Sequence, residues 1–222
     1  MDAKQRVAEA AVEQIEDGMK IGLGTGSTAY WAIRKIAEKV KEGLRIKAIA
    51  TSKQSEALAR EFGIPLSGFS QIDDLDIAID GADEVDSDLN LIKGGGGALL
   101  REKIVAAASR RFIVIADESK IVKTLGRFPL PVEIVPFGME ATLRNVQQLG
   151  CTPVLRRQDG GPYITDNGNY IADCDFGTIE DPAALHRQLN GIPGVVDNGL
   201  FVGMARQVYV GYKDGTIERL DK

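Results

Sequence analysis

The chain has 222 residues, with 27 Lys and Arg against 32 Asp and Glu, and a net charge of −5. That length suits one large domain, or a medium domain with a small companion. The acidic balance and the lack of clustered Lys and Arg argue against a nucleic-acid binder. The single His and the two distant cysteines, Cys151 and Cys174, exclude a His-rich metal centre, a zinc site and a disulfide scaffold.

No apolar run exceeds five residues, so no membrane span is expected. Asp2, Lys4, Arg6, Glu9 and Glu13 leave no room for a secretory signal. Two cysteines in no pairing pattern suit a reducing compartment, and a cytoplasmic protein acting on a small molecule is the expectation.

Val7, Ala11 and Ile15 recur at helical spacing and predict a helix over 3–16. A short strand over 19–23 runs into Gly24-Thr25-Gly26-Ser27-Thr28, and a helix follows over 29–40. Next come a strand over 45–50, a helix over 52–62, a strand over 75–79, a helix over 98–108 and a strand over 112–116. Short β-branched strands alternating with helices predict a largely parallel, Rossmann-like α/β sheet with both faces covered.

The texture changes at Phe128-Pro129-Leu130-Pro131. Strand 132–136, helix 139–149, strands 152–157 and 162–174, helix 181–190 and strand 195–202 then follow. Asp166-Asn167-Gly168-Asn169 interrupts the 162–174 stretch with a turn signal. The order predicts a smaller ferredoxin-like α+β domain over 128–203. A hairpin over 207–220, turning at Asp214-Gly215, returns to the first domain, which then comprises 1–127 and 204–222.

Open α/β sheets bind ligands beyond the carboxyl ends of their strands. Four polar or glycine-rich segments fall at such ends. The first, Gly24 to Thr28, reads as an anion cradle: backbone N–H groups turn inward, the next helix adds its positive end, and Thr25, Ser27 and Thr28 add hydroxyls. It formally matches G-x-G-x-x-A, but Thr51-Ser52-Lys53 stand where a dinucleotide site needs an acid. The Walker G-K-[ST] is absent too, so a monophosphate ester fits better than a nucleotide.

The second segment, Asp80-Gly81-Ala82-Asp83-Glu84, gathers three carboxylates, which leaves Mg²⁺ open as an alternative to an ordinary turn. Lys93 nearby offers an ammonium to meet the same charge. The third, Lys93-Gly94-Gly95-Gly96-Gly97, costs conformational entropy that packing does not return, and it permits close backbone approach to a ligand. Glu102, five residues past Gly97, faces back over that loop or is simply a helix-start glutamate favoured by the macrodipole. The fourth is Asp117-Glu118-Ser119-Lys120.

Gly24–Ala29, Asp80–Glu84, Lys93–Ala98 with Arg101-Glu102-Lys103, and Ala116–Lys120, in this order, resemble the signature set of the type A ribose-5-phosphate isomerases. The similarity continues through Phe128–Glu133 and Pro193–Val196 to Gly199-Leu200-Phe201, and so covers essentially the whole chain with no departure at these positions. The resemblance implies interconversion of ribose 5-phosphate and ribulose 5-phosphate in the pentose phosphate pathway, without metal or cofactor. It implies a catalytic glutamate at Glu102. It implies substrate contacts from Thr25, Gly26, Ser27 and Thr28, from Asp80, Gly81, Ala82 and Asp83, from Lys93, Gly94, Gly95 and Gly96, and from Lys120. A Rossmann-like domain with a small ferredoxin-like domain, assembled as a homodimer or homotetramer, is also implied.

For such a reaction Lys93 and the glycine-loop N–H groups are expected to stabilise an enediolate, and Asp80 or Asp83 to move the ring-opening proton. No nucleic acid or membrane partner is expected. Two readings from other classes share the fold: a sugar-phosphate sensor and an acyl-CoA transferase-like enzyme. His186 falls outside all four segments and reads as a surface or structural residue, not a catalyst.

Overall fold

The computed structural model describes residues 2–222. The first elements are α1 (Ala3–Val12), β1 (Lys20–Leu23), α2 (Ser27–Lys41), β2 (Lys47–Ala50), α3 (Lys53–Glu61) and β3 (Leu75–Gly81). There follow β4 (Glu84–Val85), β5 (Leu91–Ile92), α4 (Leu99–Ala107), β6 (Ser109–Asp117), β7 (Leu130–Ile134), α5 (Met139–Gln147) and β8 (Thr152–Leu155). The chain closes with β9 (Arg157–Gln158), β10 (Gly161–Pro162), β11 (Tyr170–Asp175), α6 (Pro182–Asn190), β12 (Val195–Asn198), β13 (Leu200–Phe201), β14 (Gln207–Gly211) and β15 (Ile217–Asp221). They form two compact units.

The first unit comprises Met1–Ala82, Arg101–Ile121 and Gly203–Lys222. Its six-stranded sheet has the order β15-β14-β6-β3-β1-β2, parallel except for β15 at the edge. Ile77, Ile79, Ile113 and Ile115 are buried on these strands, which explains their continuous apolar runs. On α2, Ala29, Ala32, Ile33, Ile36 and Ala37 are buried at three- and four-residue spacing, one stripe facing the sheet. Each of its isoleucines contributes roughly 1.5–3 kcal/mol by leaving water. Ser52 caps α3 by accepting the Ser55 N–H at 3.0 Å.

Strand order reverses at β1, whose neighbours are β2 on one side and β3 on the other. Such a switch point opens a crevice at the carboxyl ends of the two central strands. Because α4 connects the parallel neighbours β3 and β6, it runs antiparallel to them, and its first turn lies at that same carboxyl rim. Its docking is close: a Cβ on Gly22 would overlap the Val105 side chain.

The second unit comprises Asp83–Leu100 and Val122–Val202. Its main sheet has the order β12-β7-β11-β8, all antiparallel. With α5 and α6 this is the ferredoxin-like arrangement, and Leu130, Val132, Ile134, Ala172, Cys174, Val146, Leu185 and Leu189 share one core. A small sheet, β13-β5-β4, completes the unit.

Four expectations need correction. The segment 83–100 and residues 122–127 belong with the second unit, because β5 pairs with β13 and the Val122 N–H donates to Val85 O. Helix α1 ends at Val12, where tighter bonds from Gln14 to Ala11 and from Ile15 to Val12 take over, although Ile15 stays buried. The single strand expected over 195–202 is two, in different sheets, parted at Gly199. The stretch 162–174 holds only β11 and the tail of a small β9–β10 hairpin. Among the described residues no helix is long and apolar enough to cross a membrane.

Candidate active site

In the first unit, β1 ends at Leu23 and Gly24 lies beside Asp80, so closely that a Cβ on Gly24 would overlap the Asp80 carboxylate. Asp80 is 2% exposed. Its Oδ1 accepts the Thr25 N–H at 3.0 Å and the Gly81 N–H at 2.7 Å. Asp80 and the anion cradle are therefore one hydrogen-bonded structure. Gly81 ends β3, and Ala82 follows it beyond the strand.

Gly26 takes the N-cap position of α2, with Ser27 and Thr28 in the first turn. Ser27 is exposed and Thr28 half-buried. The Thr25 hydroxyl differs from expectation. It is turned inward among Thr51 (2.7 Å), Ser52 (2.8 Å) and Ser55 (3.0 Å), and Ser55 in turn donates to Gly24 O at 2.6 Å. Thr25 thus serves the cradle with its backbone. Thr51 and Ser52, at the end of β2, stitch the cradle to the sheet.

Lys4, which the sequence did not single out, reaches from α1 and donates from Nζ to Ser27 Oγ at 3.0 Å. Only its polar spacing from Ser27 through a fold could have revealed it. Lys120 sits in a short 3₁₀ turn, Glu118–Lys120, capped by Asp117. Burial pushes the Asp117 carboxyl up, but the Ser119 hydroxyl and amide, then the Lys120 and Lys4 charges, hold it below the usual carboxylate range on balance. One carboxylate thus feels both lysines, which places both cations at the same rim as the cradle.

Glu102 lies in the first turn of α4 and is 5% exposed. Val105 shares its helix face three residues on. A buried carboxylate at a helix start is not the exposed macrodipole partner that spacing alone offers as the alternative.

In the second unit, Asp83 and Lys93 flank the β4–β5 hairpin, and the Asp83 N–H donates to Ile92 O at 2.8 Å. Asp83 Oδ2 accepts the Gly95 N–H at 2.8 Å. Lys93 is 2% exposed, with its Nζ 5.5 Å from the Phe201 ring centre. Its N–H donates to Gly199 O at 2.9 Å, and the Gly199 N–H to Pro131 O at 2.7 Å. The Gly199-Leu200-Phe201 stretch is therefore the support beneath Lys93. Gly94 is buried, whereas Gly95 and Gly96 present exposed backbone.

Glu84 parts from its neighbours. It is fully buried, and its carboxylate accepts from the Gly126 N–H at 2.8 Å and the Phe128 N–H at 2.7 Å. The three carboxylates counted in sequence do not form one cluster. Among the described residues, no group of three or more His, Cys, Asp or Glu side chains is arranged to hold a metal ion. His186 is bound within the second unit, its Nδ1 3.2 Å from Asn198 Oδ1 and its Nε2 3.4 Å from Asn190 Nδ2.

Comparison with known proteins adds a family. A sequence model described as ribose 5-phosphate isomerase A (phosphoriboisomerase A) matches residues 47–215. A ribose-5-phosphate isomerase A of Bacillus cereus is 55% identical over 98% of this chain and 100% of its own length. The solved ribose 5-phosphate isomerase A of Methanocaldococcus jannaschii is 45% identical, with a TM-score of 0.95 over 100% of this chain and 99% of its own. A D-ribose-5-phosphate isomerase solved with phospho-erythronic acid is 42% identical, with a TM-score of 0.96 over the whole of both chains.

Proposed function

The chain belongs to the ribose 5-phosphate isomerase A family and is an aldose–ketose isomerase; on that premise, we propose that it interconverts D-ribose 5-phosphate and D-ribulose 5-phosphate through an enediolate, with Glu102 as the base. The observation that carries this reading is the burial of Glu102 in the first turn of α4, at the carboxyl rim of the sheet. A solved relative that binds phospho-erythronic acid, a phosphorylated four-carbon acid, supports a sugar phosphate as the substrate.

The cradle at Gly26, Ser27 and Thr28, with Lys4 and Lys120, receives the phosphate and holds the sugar by the end remote from the reacting carbons. Asp80 or Asp83 moves the proton that opens the ribose ring. Glu102 then takes the proton from C2 of the open aldose, and electron density passes to O1. The enediolate oxygen is met by the Lys93 ammonium and by N–H groups of the glycine loop, donors typically worth about 3–4 kcal/mol each in a preorganised site. Glu102 returns the proton to C1, the O2 hydroxyl proton passes to O1, and the ketose results. One carboxylate serves both carbons because they are neighbours. The Cys151 and Cys174 thiols are free and buried, which supports a cytoplasmic enzyme, and we place it there as a homodimer or homotetramer.

The test is turnover of ribose 5-phosphate in D₂O with a chelator present. Ribulose 5-phosphate carrying solvent deuterium at C1, formed at an undiminished rate, supports the metal-free enediolate route. Loss of activity on chelation overturns the metal-free part. Glu102→Gln should lower kcat by ~10³-fold or more while substrate still binds, and near-normal turnover removes Glu102 as the base. Light scattering after size exclusion reads the assembly.

A further inference from the structure

Arg156 lies between β8 and β9 in the second unit, far in sequence from all four rim segments. Its side chain is 16% exposed. Its Nε donates to Asp173 Oδ2 at 2.9 Å and its Nη2 to Asp173 Oδ1 at 2.5 Å, a two-point grip that leaves Nη1 directed elsewhere. Nη1 donates to Gly94 O at 3.0 Å and to Gly95 O at 3.1 Å. The guanidinium also lies 5.7 Å from the Tyr163 ring centre, and burial pushes the Tyr163 phenol up, so it keeps the proton it directs at Gly96 O, 3.4 Å away.

These bonds fix peptide planes. A trans peptide points its C=O and the following N–H in opposite directions. The plane joining Gly94 and Gly95 is held at both ends, its carbonyl by Arg156 and its N–H by Asp83 Oδ2 at 2.8 Å. The plane joining Gly95 and Gly96 is held by its carbonyl. Its N–H, that of Gly96, therefore points away from Arg156, from an exposed stretch of backbone. Four consecutive glycines have little rotational preference of their own, so this direction has to be imposed from outside. Asp173 is suited to do so, since β11 holds it between Pro131 on β7 and Val154 on β8.

We propose that Arg156 is a positioning residue for the isomerisation: anchored on Asp173, it grips the Gly94 and Gly95 carbonyls and thereby aims the Gly96 N–H at the oxygen that becomes anionic. The proposal rests on the reading that the glycine loop stabilises an enediolate. Lysine cannot copy the arrangement, because one ammonium has no planar fork to hold a carboxylate and two carbonyls together.

The experiment compares Arg156→Ala, Arg156→Lys, Asp173→Asn and Glu102→Gln with the parent protein, reading kcat and KM for ribose 5-phosphate and the unfolding midpoint. Removing an oxyanion donor outright costs ~10²–10³-fold in kcat, so misaiming one should cost about 10–100-fold, with KM within about threefold. Asp173→Asn, which preserves shape, should show a smaller loss of the same kind, and Arg156→Lys should lie between Ala and the parent. Arg156→Ala should also weaken phospho-erythronic acid more than it weakens ribose 5-phosphate, because the acid carries a planar anionic oxygen where the enediolate does.

A lowered unfolding midpoint with kcat of the folded protein unchanged overturns the proposal in favour of a merely structural ion pair. Should Arg156→Ala not fold, unchanged kcat in both Arg156→Lys and Asp173→Asn overturns it equally. Glu102→Gln separates the two readings: if it turns over near-normally, the reading with Glu102 as the base falls, and if it is inactive while the Arg156 and Asp173 variants keep kcat, only the present proposal falls.

Discussion

The backbone N–H of Thr25 donates to Asp80 Oδ1 at 3.0 Å, and this bond joins the ends of two parallel strands across the switch point of the sheet. Asp80 therefore has an architectural task as well as the chemical one proposed for it. The two separate by substitution. Asp80→Asn retains a carbonyl oxygen for the Thr25 and Gly81 amides and should stay within about 1 kcal/mol of the parent in urea, while kcat falls ~10²-fold. Asp80→Ala should lose both. Gly24→Ala attacks the same place by volume, since the new Cβ overlaps the Asp80 carboxylate, and overpacking of this kind costs about 1–3 kcal/mol. Equal kcat in the parent and Asp80→Asn would leave Asp80 with architecture alone.

Lys4 and Ser27 carry the second prediction. A lysine that donates to a cradle hydroxyl at 3.0 Å stands within reach of any phosphate held there. Lys4→Gln should raise KM for ribose 5-phosphate ~10-fold or more, as befits loss of one charged hydrogen bond of about 1.5–3 kcal/mol, and leave kcat nearly unchanged. Raising the salt concentration should weaken substrate binding less in the variant than in the parent. Thr28→Ala should likewise raise KM for the phosphorylated sugar more than it weakens free ribose. Equal effects on the two sugars would move the phosphate away from this cradle.

The acid limb of stability supplies a third. The Asp117 carboxyl is held below its ordinary value of 3.8, against the effect of burial, by Ser119 and by the Lys120 and Lys4 charges. A carboxyl depressed in the folded state stabilises the protein above its unfolded pKa. That contribution fades as pH falls through the folded value. Asp117→Asn keeps a capping side chain and removes the charge. Its deficit against the parent should be below about 1 kcal/mol near pH 6, because the group is partly solvated, and should shrink progressively as pH falls below 3.8. Urea midpoints across that range read it, and a deficit independent of pH would assign the effect to the cap.

What the sequence disclosed follows the range of the interactions. Runs such as Ile77–Ile79 and Phe112–Ala116 are legible because a doubly covered strand is apolar on both faces. The four rim segments are legible because glycines and carboxylates at strand ends are local patterns. Strands β4 and β5 have two residues each and carry no period to detect. Their pairing with Leu200 and Phe201 draws 83–100 into the second unit, and nothing within 83–100 announces it. Lys4, Arg156 and the inward Thr25 hydroxyl escaped for one reason. Their partners stand 23, 62 and 26 residues away, and only the folded chain brings them together.

Glu133 carries the last prediction. It is wholly buried on β7, and its Oε1 accepts from Thr165 Oγ1 at 2.9 Å, Asn167 Nδ2 at 3.1 Å and Asn169 Nδ2 at 2.9 Å. Thr165 Oγ1 in turn accepts the Asn167 and Asn169 amides, so the loop closed by Asn167-Gly168 is latched to the sheet through one carboxylate oxygen. Tyr163, which meets the glycine loop at Gly96, enters that latched segment and lies near enough to feel the Glu133 charge. Glu133→Ala strands buried donors and should cost about 3–5 kcal/mol. Because the latch is local, amide exchange at Thr165 to Asn169 should quicken at denaturant concentrations where the rest of the second unit is still protected. Glu133→Gln keeps an oxygen toward the same donors and should restore most of that protection. Exchange that rises evenly through β7, β11 and the loop would mean that Glu133 stabilises the whole unit and latches nothing in particular.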